Sequence, residues 1–393
     1  MVSVEFADLA APRPGLGAVR PSLIQKVAEQ GAGLEGVIKL WFGEPDRVTP
    51  KFIRDAATAA LDDGHTFYVS NFGVPPLRQA LSDYNVRLGR DIGVERIFVT
   101  SSGVNAIQLV CDALLSPGDR VVLPGPYWPN LSGIPAVRGA EVVSPDLTLD
   151  GDVWRLDMDV LLDAITPETR MVMLNAPGNP SGWMLTRAEQ ETILAHCRRL
   201  GVWILADDVY ERVVFSGDCA PSFLDIATPE DRVVSINSFS KNWAMTGWRL
   251  GWIVAPPTLL PTLAMLGEYS ISCVAPFIQH AGVVALRDGE AFLAEMRARY
   301  HDNRDLVVER LRAIPRLQVP RPEGAMYAFF RVEGCDDSFA LALDLLRKER
   351  VGLAPGVAFG PRGEGCLRLC FAAEASVLAE ACDRIGAYLS RQG

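Results

Sequence analysis

From residue 50 to about 285 the chain alternates short apolar runs with stretches whose apolar residues recur at three- and four-residue spacing. The runs are IFVT (97–100), RVVLP (120–124), EVVSP (141–145), RMVMLN (170–175), VWILA (202–206), RVVSI (232–236) and RLGWIVA (249–255). Most are apolar throughout rather than at every second position, which predicts strands covered on both faces. AIQLVCDALL and LTRAEQETILAHCRRL carry helical spacing, and the flanks of EDRV (230–233) carry it more weakly. Strands alternating with helices predict an α/β domain over 50–285, with a mainly parallel sheet of about seven strands.

Beyond residue 286 the pattern changes. GEAFLAEMRARYHDNRDLVVERLRAI reads as a long amphipathic helix, in one piece or kinked. LQVP, MYAFFRV and CLRLCFA read as short strands, and FALALDLLRKER and SVLAEACDRIGAYL as helices. This predicts a smaller α+β domain over 286–393, joined by residues 1–49. The first 25 residues, with APRPGLGAVRP, read as an extended arm.

Composition narrows the classes. Of 393 residues 49% are apolar and 22% charged, a globular composition with ample core-forming material. A formal net charge of −10 without any block of like charge argues against nucleic acid or an anionic membrane as partner. No apolar stretch reaches the length of a membrane span; LLPTLAMLG comes nearest and holds a proline. MVSVEFADLA has neither the basic nor the apolar region of a signal peptide. With eight scattered cysteines and no C-x-x-C pair, the expectation is reduced, mostly buried thiols in a cytoplasmic protein. The four histidines stand at no metal-ligand spacing, so no metal site is expected.

Chemistry in open α/β sheets gathers at the carboxyl ends of the strands, and the residues there form a coherent set. IFVT is followed by SSGVNAI, where free backbone N–H groups at a helix start would suit an anion. RVVLP is followed by GPYWPN, whose Trp128 offers a flat stacking surface. RMVMLN leads into NAPGNPSG, a rigid turn with a fixed amide. VWILA is followed by Asp207, an acid at the end of an apolar strand that needs a cationic partner. Tyr210 falls on the same side if a helical turn begins there. RVVSIN is followed by SFSK. Lys241, one of only five lysines, sits in a nearly uncharged run with Arg249 eight residues on. An amine in apolar surroundings becomes a usable nucleophile for imine chemistry. An amine, an acid for a pyridinium nitrogen, donors for a phosphate and an aromatic plate together describe a pocket for pyridoxal phosphate.

Ten segments carry a resemblance that runs over nearly the whole chain: LWFGEPDRVTP (40–50), YVSNFGVPPLRQAL (68–81), VTSSGVNAI (99–107), PGPYWPN (124–130), NAPGNPSG (175–182), ADDVYE (206–211), SFSKNWAMTGWRLGW (238–252), PEGAMYAFF (322–330), VGLAPGVAFG (351–360) and LRLCFA (367–372). In these the chain resembles the fold-type I pyridoxal-phosphate enzymes, specifically the class I/II aminotransferases of the aspartate aminotransferase superfamily. The resemblance implies that Lys241 forms the imine with the cofactor and then shuttles the substrate's α-proton, and that Asp207 pairs with the ring nitrogen. Tyr210 and Asn179 match donors to the ring's phenolic oxygen. Ser102, Gly103 and Val104 match a phosphate cup completed by Ser238, Ser240 and Arg249, and Trp128 takes the stacking position. Arg368 matches the clamp for the substrate α-carboxylate, with Asn179 and the Gly43 backbone beside it. Tyr68 matches a tyrosine that reaches the phosphate from a neighbouring subunit, which implies a homodimer with shared sites.

Two departures bear on substrate and structure. Asp208 stands where the family often has glutamate, and is expected to be structural. Val104 stands where dicarboxylate-specific relatives of one subgroup carry lysine, and EYSISCVAP has no arginine for a second carboxylate. With Trp41, Phe42 and Leu131 expected near the substrate, the lean is toward an amino acid with a neutral or aromatic side chain. The expected reaction is ping-pong transfer of an amino group from an amino acid to a 2-oxo acid. The alternative is a C–S β-lyase or related elimination enzyme on the same scaffold; a non-catalytic regulator is more remote, since a degenerate chain would have lost Lys241, Asp207 or Arg368.

Overall fold

The computed structural model describes residues 21–392 together with Leu16 and Val19. The other residues of the expected N-terminal arm lie outside the described residues. All seven candidate runs form strands of one sheet: β1 (Ile97–Thr100), β2 (Arg120–Val122), β3 (Glu141–Val143), β4 (Thr169–Asn175), β5 (Trp203–Asp207), β6 (Val233–Ser238) and β7 (Gly251–Val254). Their order is β1-β7-β6-β5-β4-β2-β3. β7 runs antiparallel to both its neighbours, and the remaining pairs are parallel. Successive residues of β4 explain the unbroken apolar runs. Met171 and Met173 point into a core with Leu109 and Val110 of the Gly103–Leu114 helix, while Val172 and Leu174 point into another with Phe329 and Val307. Both faces are covered, so neither set of positions is free to be polar.

The strand ends shift where side-chain chemistry intervenes. β2 and β3 stop before Pro124 and Pro145, which have no N–H to continue a ladder. β5 and β6 instead run on to Asp207 and Ser238, placing both at the carboxyl edge. The weak helical spacing around EDRV is not realised as a helix. Phe223–Asp225 is a single 3-10 turn capped by Ser222, and Asp231 accepts the Thr228 N–H at 2.7 Å and a two-pronged Arg198 contact at 2.6 Å on each prong. These side chains satisfy the local backbone without a helix. Upstream, Thr186 and Glu189 close a capping box on the Arg187–Leu200 helix, and Gly201 ends it in the left-handed conformation.

In the C-terminal region Glu290–Arg312 is one uninterrupted helix. It lies beside an antiparallel sheet of β8 (Leu317–Gln318), β9 (Tyr327–Val332), β10 (Ala354–Pro355) and β11 (Cys366–Cys370), ordered β8-β9-β11-β10. Ile38–Lys39 pairs with Val351–Gly352, tying the segment ahead of residue 50 to this region. That pair and the Thr148–Asp150/Val153–Arg155 hairpin are too short to leave a sequence pattern. Among the described residues no helix is long and apolar enough to cross a membrane, and no cluster of His, Cys, Asp or Glu converges as for a metal ion.

Candidate active site

One cavity of about 300 Å³ opens where the carboxyl ends of β4, β5 and β6 face β9 and β11. Gly43, Gly103, Val104, Trp128, Asn179, Asp207, Tyr210, Ser238, Ser240, Lys241, Arg249 and Arg368 all line it. Ser102 sits just behind the wall as the N-cap of the Gly103–Leu114 helix. Tyr68 does not line the cavity: it is 90% exposed on the surface of the single chain.

Asp207 is the last residue of β5 and is buried. Its carboxylate accepts one N–H, from Val209 at 3.4 Å, and among the described residues no cationic side chain pairs with it. Burial and the neighbouring Asp208 charge push its pKa up to about 7, against the pull of the Val209 N–H and Lys241. A buried acid in this state lacks a cation. Asp208 faces the other way. It accepts from Ser235 at 2.7 Å and Ser222 at 2.9 Å and lines no part of the cavity, so it anchors the turn that follows. That turn carries Tyr210 as two successive tight turns, Asp208 to Glu211 and Tyr210 to Val213, rather than as the start of a helix.

Lys241 belongs to the four-residue helix Phe239–Asn242, begun by the cap of Ser238. Its Nζ donates to the carbonyl of Gly43. The amine is reachable from the cavity yet enclosed, and burial pulls its pKa down to about 8. It does not snorkel to the surface. Gly43 must be glycine because a Cβ there would overlap the Tyr327 hydroxyl. Gly43→Ala is therefore expected to displace the carbonyl that holds Lys241, cutting turnover about tenfold or more and costing about 1–3 kcal/mol of stability. Initial rates and urea unfolding on the same preparation would check both.

At the anion end, Ser102 Oγ accepts the Asn105 N–H at 3.0 Å, leaving the first-turn N–H groups of Gly103 and Val104 at the cavity wall without an intrahelical acceptor. Ser238 Oγ donates to Ser240 Oγ at 2.9 Å. Arg249 is held in the left-handed conformation, φ 54°, and donates to the Thr246 carbonyl at 2.7 Å; among the described residues no carboxylate pairs with it. The Ser102–Gly103 helix start packs against β7 at Gly251, where a Cβ would press on Ser102 and Gly103 backbone atoms at 2.8–2.9 Å.

Across the cavity, Arg368 of β11 is buried, with no counter-ion among the described residues. Its Nη1 donates to Asn179 Oδ1 at 2.8 Å, its Nη2 to the Trp41 carbonyl, and its Nε finds no partner among the described residues. The rings of Tyr327 and Phe359 flank the guanidinium, with centroids 4.4 and 4.8 Å away. Asn179 is fixed in turn, its N–H donating to Asn175 Oδ1 at 2.8 Å while Asn175 donates to the Asp207 carbonyl at 3.0 Å.

Sequence reasoning missed Tyr327, whose hydroxyl lies 2.6 Å from that of Tyr210. It also missed Ser22 and Ile24, which bring the start of the Leu23–Gln30 helix to the cavity. Two residues expected near the substrate are displaced. The Trp41 indole packs against Gly31 and Gly352, leaving only its carbonyl at the site, and Leu131 lines a separate small cavity. Of the three, Phe42 alone reaches the main cavity.

A buried acid without a cation, an enclosed amine of lowered pKa, an open helix start beside an unpaired arginine and a second buried arginine without an anion share one cavity. Those residues fit pyridoxal phosphate and an amino acid carboxylate. Fold and site thus define a fold-type I pyridoxal-phosphate enzyme. The chain belongs to the class I and II aminotransferases, whose family pattern matches residues 35–385. It is 37% identical to the aspartate aminotransferase of Pyrococcus horikoshii over 93% of this chain and 94% of that one. It is 35% identical to aromatic-amino-acid aminotransferase 2 of Thermococcus litoralis, over 93% and 95% of the two chains. The solved alanine aminotransferase of Pyrococcus furiosus matches with a TM-score of 0.90 at 28% identity, covering 97% of this chain and all of that one. This chain is a pyridoxal-phosphate-dependent aminotransferase acting on amino acids and 2-oxo acids.

Proposed function

We propose that the amino acid it accepts has a neutral or aromatic side chain. The observation that carries this is the cavity's charge inventory. Besides Lys241, its cations among the described residues are Arg249, beside the open helix start, and Arg368, buried opposite it. Neither is left for a second carboxylate once the phosphate and the α-carboxylate are bound. The remaining wall includes Ile24, Phe42, Val104 and Trp128, which reward an apolar group.

In this reading Gly103, Val104, Ser238, Ser240 and Arg249 hold the phosphate, with Ser102 setting the turn. Asp207 faces the ring nitrogen, Trp128 a ring face, and Tyr210 and Asn179 the ring oxygen. When bound, pyridoxal phosphate supplies an aldehyde for amine exchange and a protonated ring that takes up the electron pair released at the substrate's α-carbon. Lys241 supplies the amine that holds the cofactor and, once displaced by substrate, takes the α-proton and returns it on the other side of the exchange. Arg368 orients the substrate through its α-carboxylate. Residues 50–285 act as the large domain, and 1–49 with 286–393 as the small one. Tyr68, exposed here, would reach the phosphate of a second copy, giving a cytoplasmic homodimer with shared sites.

Titrating the purified yellow protein with single amino acids, followed by 2-oxo acids, tests the reading. A neutral or aromatic donor should convert the visible band at low millimolar concentration, and a 2-oxo acid should restore it. Efficient conversion by aspartate alone would overturn the side-chain assignment; release of ammonia or thiol with the band unchanged would favour elimination. Arg368→Lys is expected to raise KM for the amino donor about 10–100-fold with a smaller change in kcat, because lysine cannot give the two parallel bonds of a guanidinium. Steady-state kinetics at saturating 2-oxo acid would measure the split.

A further inference from the structure

Three contacts meet on Tyr327, a residue that reads as plain core in the run MYAFFRV. Its hydroxyl lies 2.6 Å from that of Tyr210. Its ring packs against the Arg368 guanidinium, 4.4 Å from Cζ to the ring centroid. Its hydroxyl also occupies the space a side chain at Gly43 would need, and the Gly43 carbonyl is the acceptor for Lys241 Nζ. We propose that Tyr327 is a positioning residue: it ties the carboxylate-binding arginine to the Tyr210 hydroxyl and sets the direction of the Tyr210 proton. The inference rests on the roles proposed above for Tyr210 and Arg368.

Two buried phenols sharing one hydrogen bond must divide their protons: one donates, and the other keeps its proton for a different acceptor. Burial pushes both phenols up; the Arg368 charge works against it at both, second only to burial at Tyr327 but behind the upward push of Tyr327 itself at Tyr210. A cation against a phenol ring makes its O–H the stronger donor. Tyr327 therefore donates and Tyr210 accepts, which leaves the Tyr210 proton to point into the cavity. Accepting that bond also polarises the Tyr210 O–H and strengthens its own donation. A strong donor at the cofactor's ring oxygen favours the unprotonated, colour-changing form of the bound cofactor, so losing Tyr327's hydroxyl should raise the pH at which the colour changes.

Tyr327→Phe keeps the ring against Arg368 and removes only the hydroxyl. The midpoint of the pH-dependent visible absorbance should rise by about half a unit or more. Turnover should fall about 3–10-fold while KM for the amino donor changes less than about threefold. Tyr327→Leu, which also strips the ring from Arg368, should raise that KM about tenfold. A residue that merely fills space would lower the melting temperature and leave the midpoint alone. A second measurement needs no cofactor: with ring-carbon-13 tyrosine in the cofactor-free protein, Tyr210→Phe should move the Tyr327 resonance. An unchanged midpoint in folded Y327F, or a Tyr327 resonance indifferent to Tyr210, overturns the proposal. A wild-type protein that takes up no pyridoxal phosphate would instead overturn the reading beneath it, with the tyrosine coupling intact.

Discussion

Replacing Lys241 by alanine is expected to lower amino-group transfer by about 10³–10⁴-fold or more, with the fold intact. Two functions leave with one side chain. The amine proposed to hold the cofactor is gone, and so is the group proposed to carry the α-proton; among the described residues no other amine lines the cavity. The wild-type reaction also carries a pH signature. Only the neutral amine attacks an aldehyde, and burial brings Lys241 down to about 8. Colour formation between the cofactor-free protein and added pyridoxal phosphate should therefore speed up as pH rises toward 8 and level off just above it. An ordinary surface lysine would keep accelerating to beyond pH 10. Stopped-flow absorbance from pH 6 to 10 on wild type and K241A separates the cases. A K241A protein that forms the same band at the same rate would sink the assignment. Small primary amines added to K241A should restore a fraction of the proton-transfer rate.

The seven sheet strands were legible because both faces of the sheet are covered, so apolar runs appear unbroken and their polar successors stand out. Asp207 and Lys241 show this plainly: Asp207 follows VWILA and Lys241 follows VVSINSFS, neither with a charge in it, and each stands at a cavity wall. Tyr327 shows the reverse. A tyrosine inside an apolar strand reads as core, and nothing along the chain says that its hydroxyl meets Tyr210 across 117 residues of separation. Trp41 and Leu131 were misplaced for a related reason. Neighbourhood along the chain puts a residue near the site, but the direction of its side chain depends on packing against distant partners, for Trp41 on Gly31 and Gly352. Two-residue pairings such as Ile38–Lys39 with Val351–Gly352 have no periodicity to detect.

Asp207→Asn is expected to lose activity by about 10²–10³-fold and yet to make the cofactor-free protein more stable at pH 8. The carboxyl is proposed to serve the bound cofactor, and it burdens the empty fold. Its pKa is raised from 3.8 to about 7, so the folded state holds a proton that the unfolded chain releases earlier. Such a group costs nothing below about pH 4. The cost grows as pH rises from there to 7 and is complete above 7. A shift of that size corresponds to at most about 4 kcal/mol, and water entering the open cavity reduces it, so a gain of about 1–3 kcal/mol in cofactor-free D207N is expected at pH 8. The gain should vanish near pH 4. Pyridoxal phosphate should reverse the order. Its ring nitrogen supplies the missing cation, so at pH 8 the ligand should raise the melting temperature of the wild type by more than that of D207N. Thermal unfolding of both proteins at pH 5, 6.5 and 8, with and without ligand, gives the full comparison. Equal stability of the cofactor-free proteins at pH 8 would mean that Asp207 already has a partner in the empty cavity and does not wait for a ring cation.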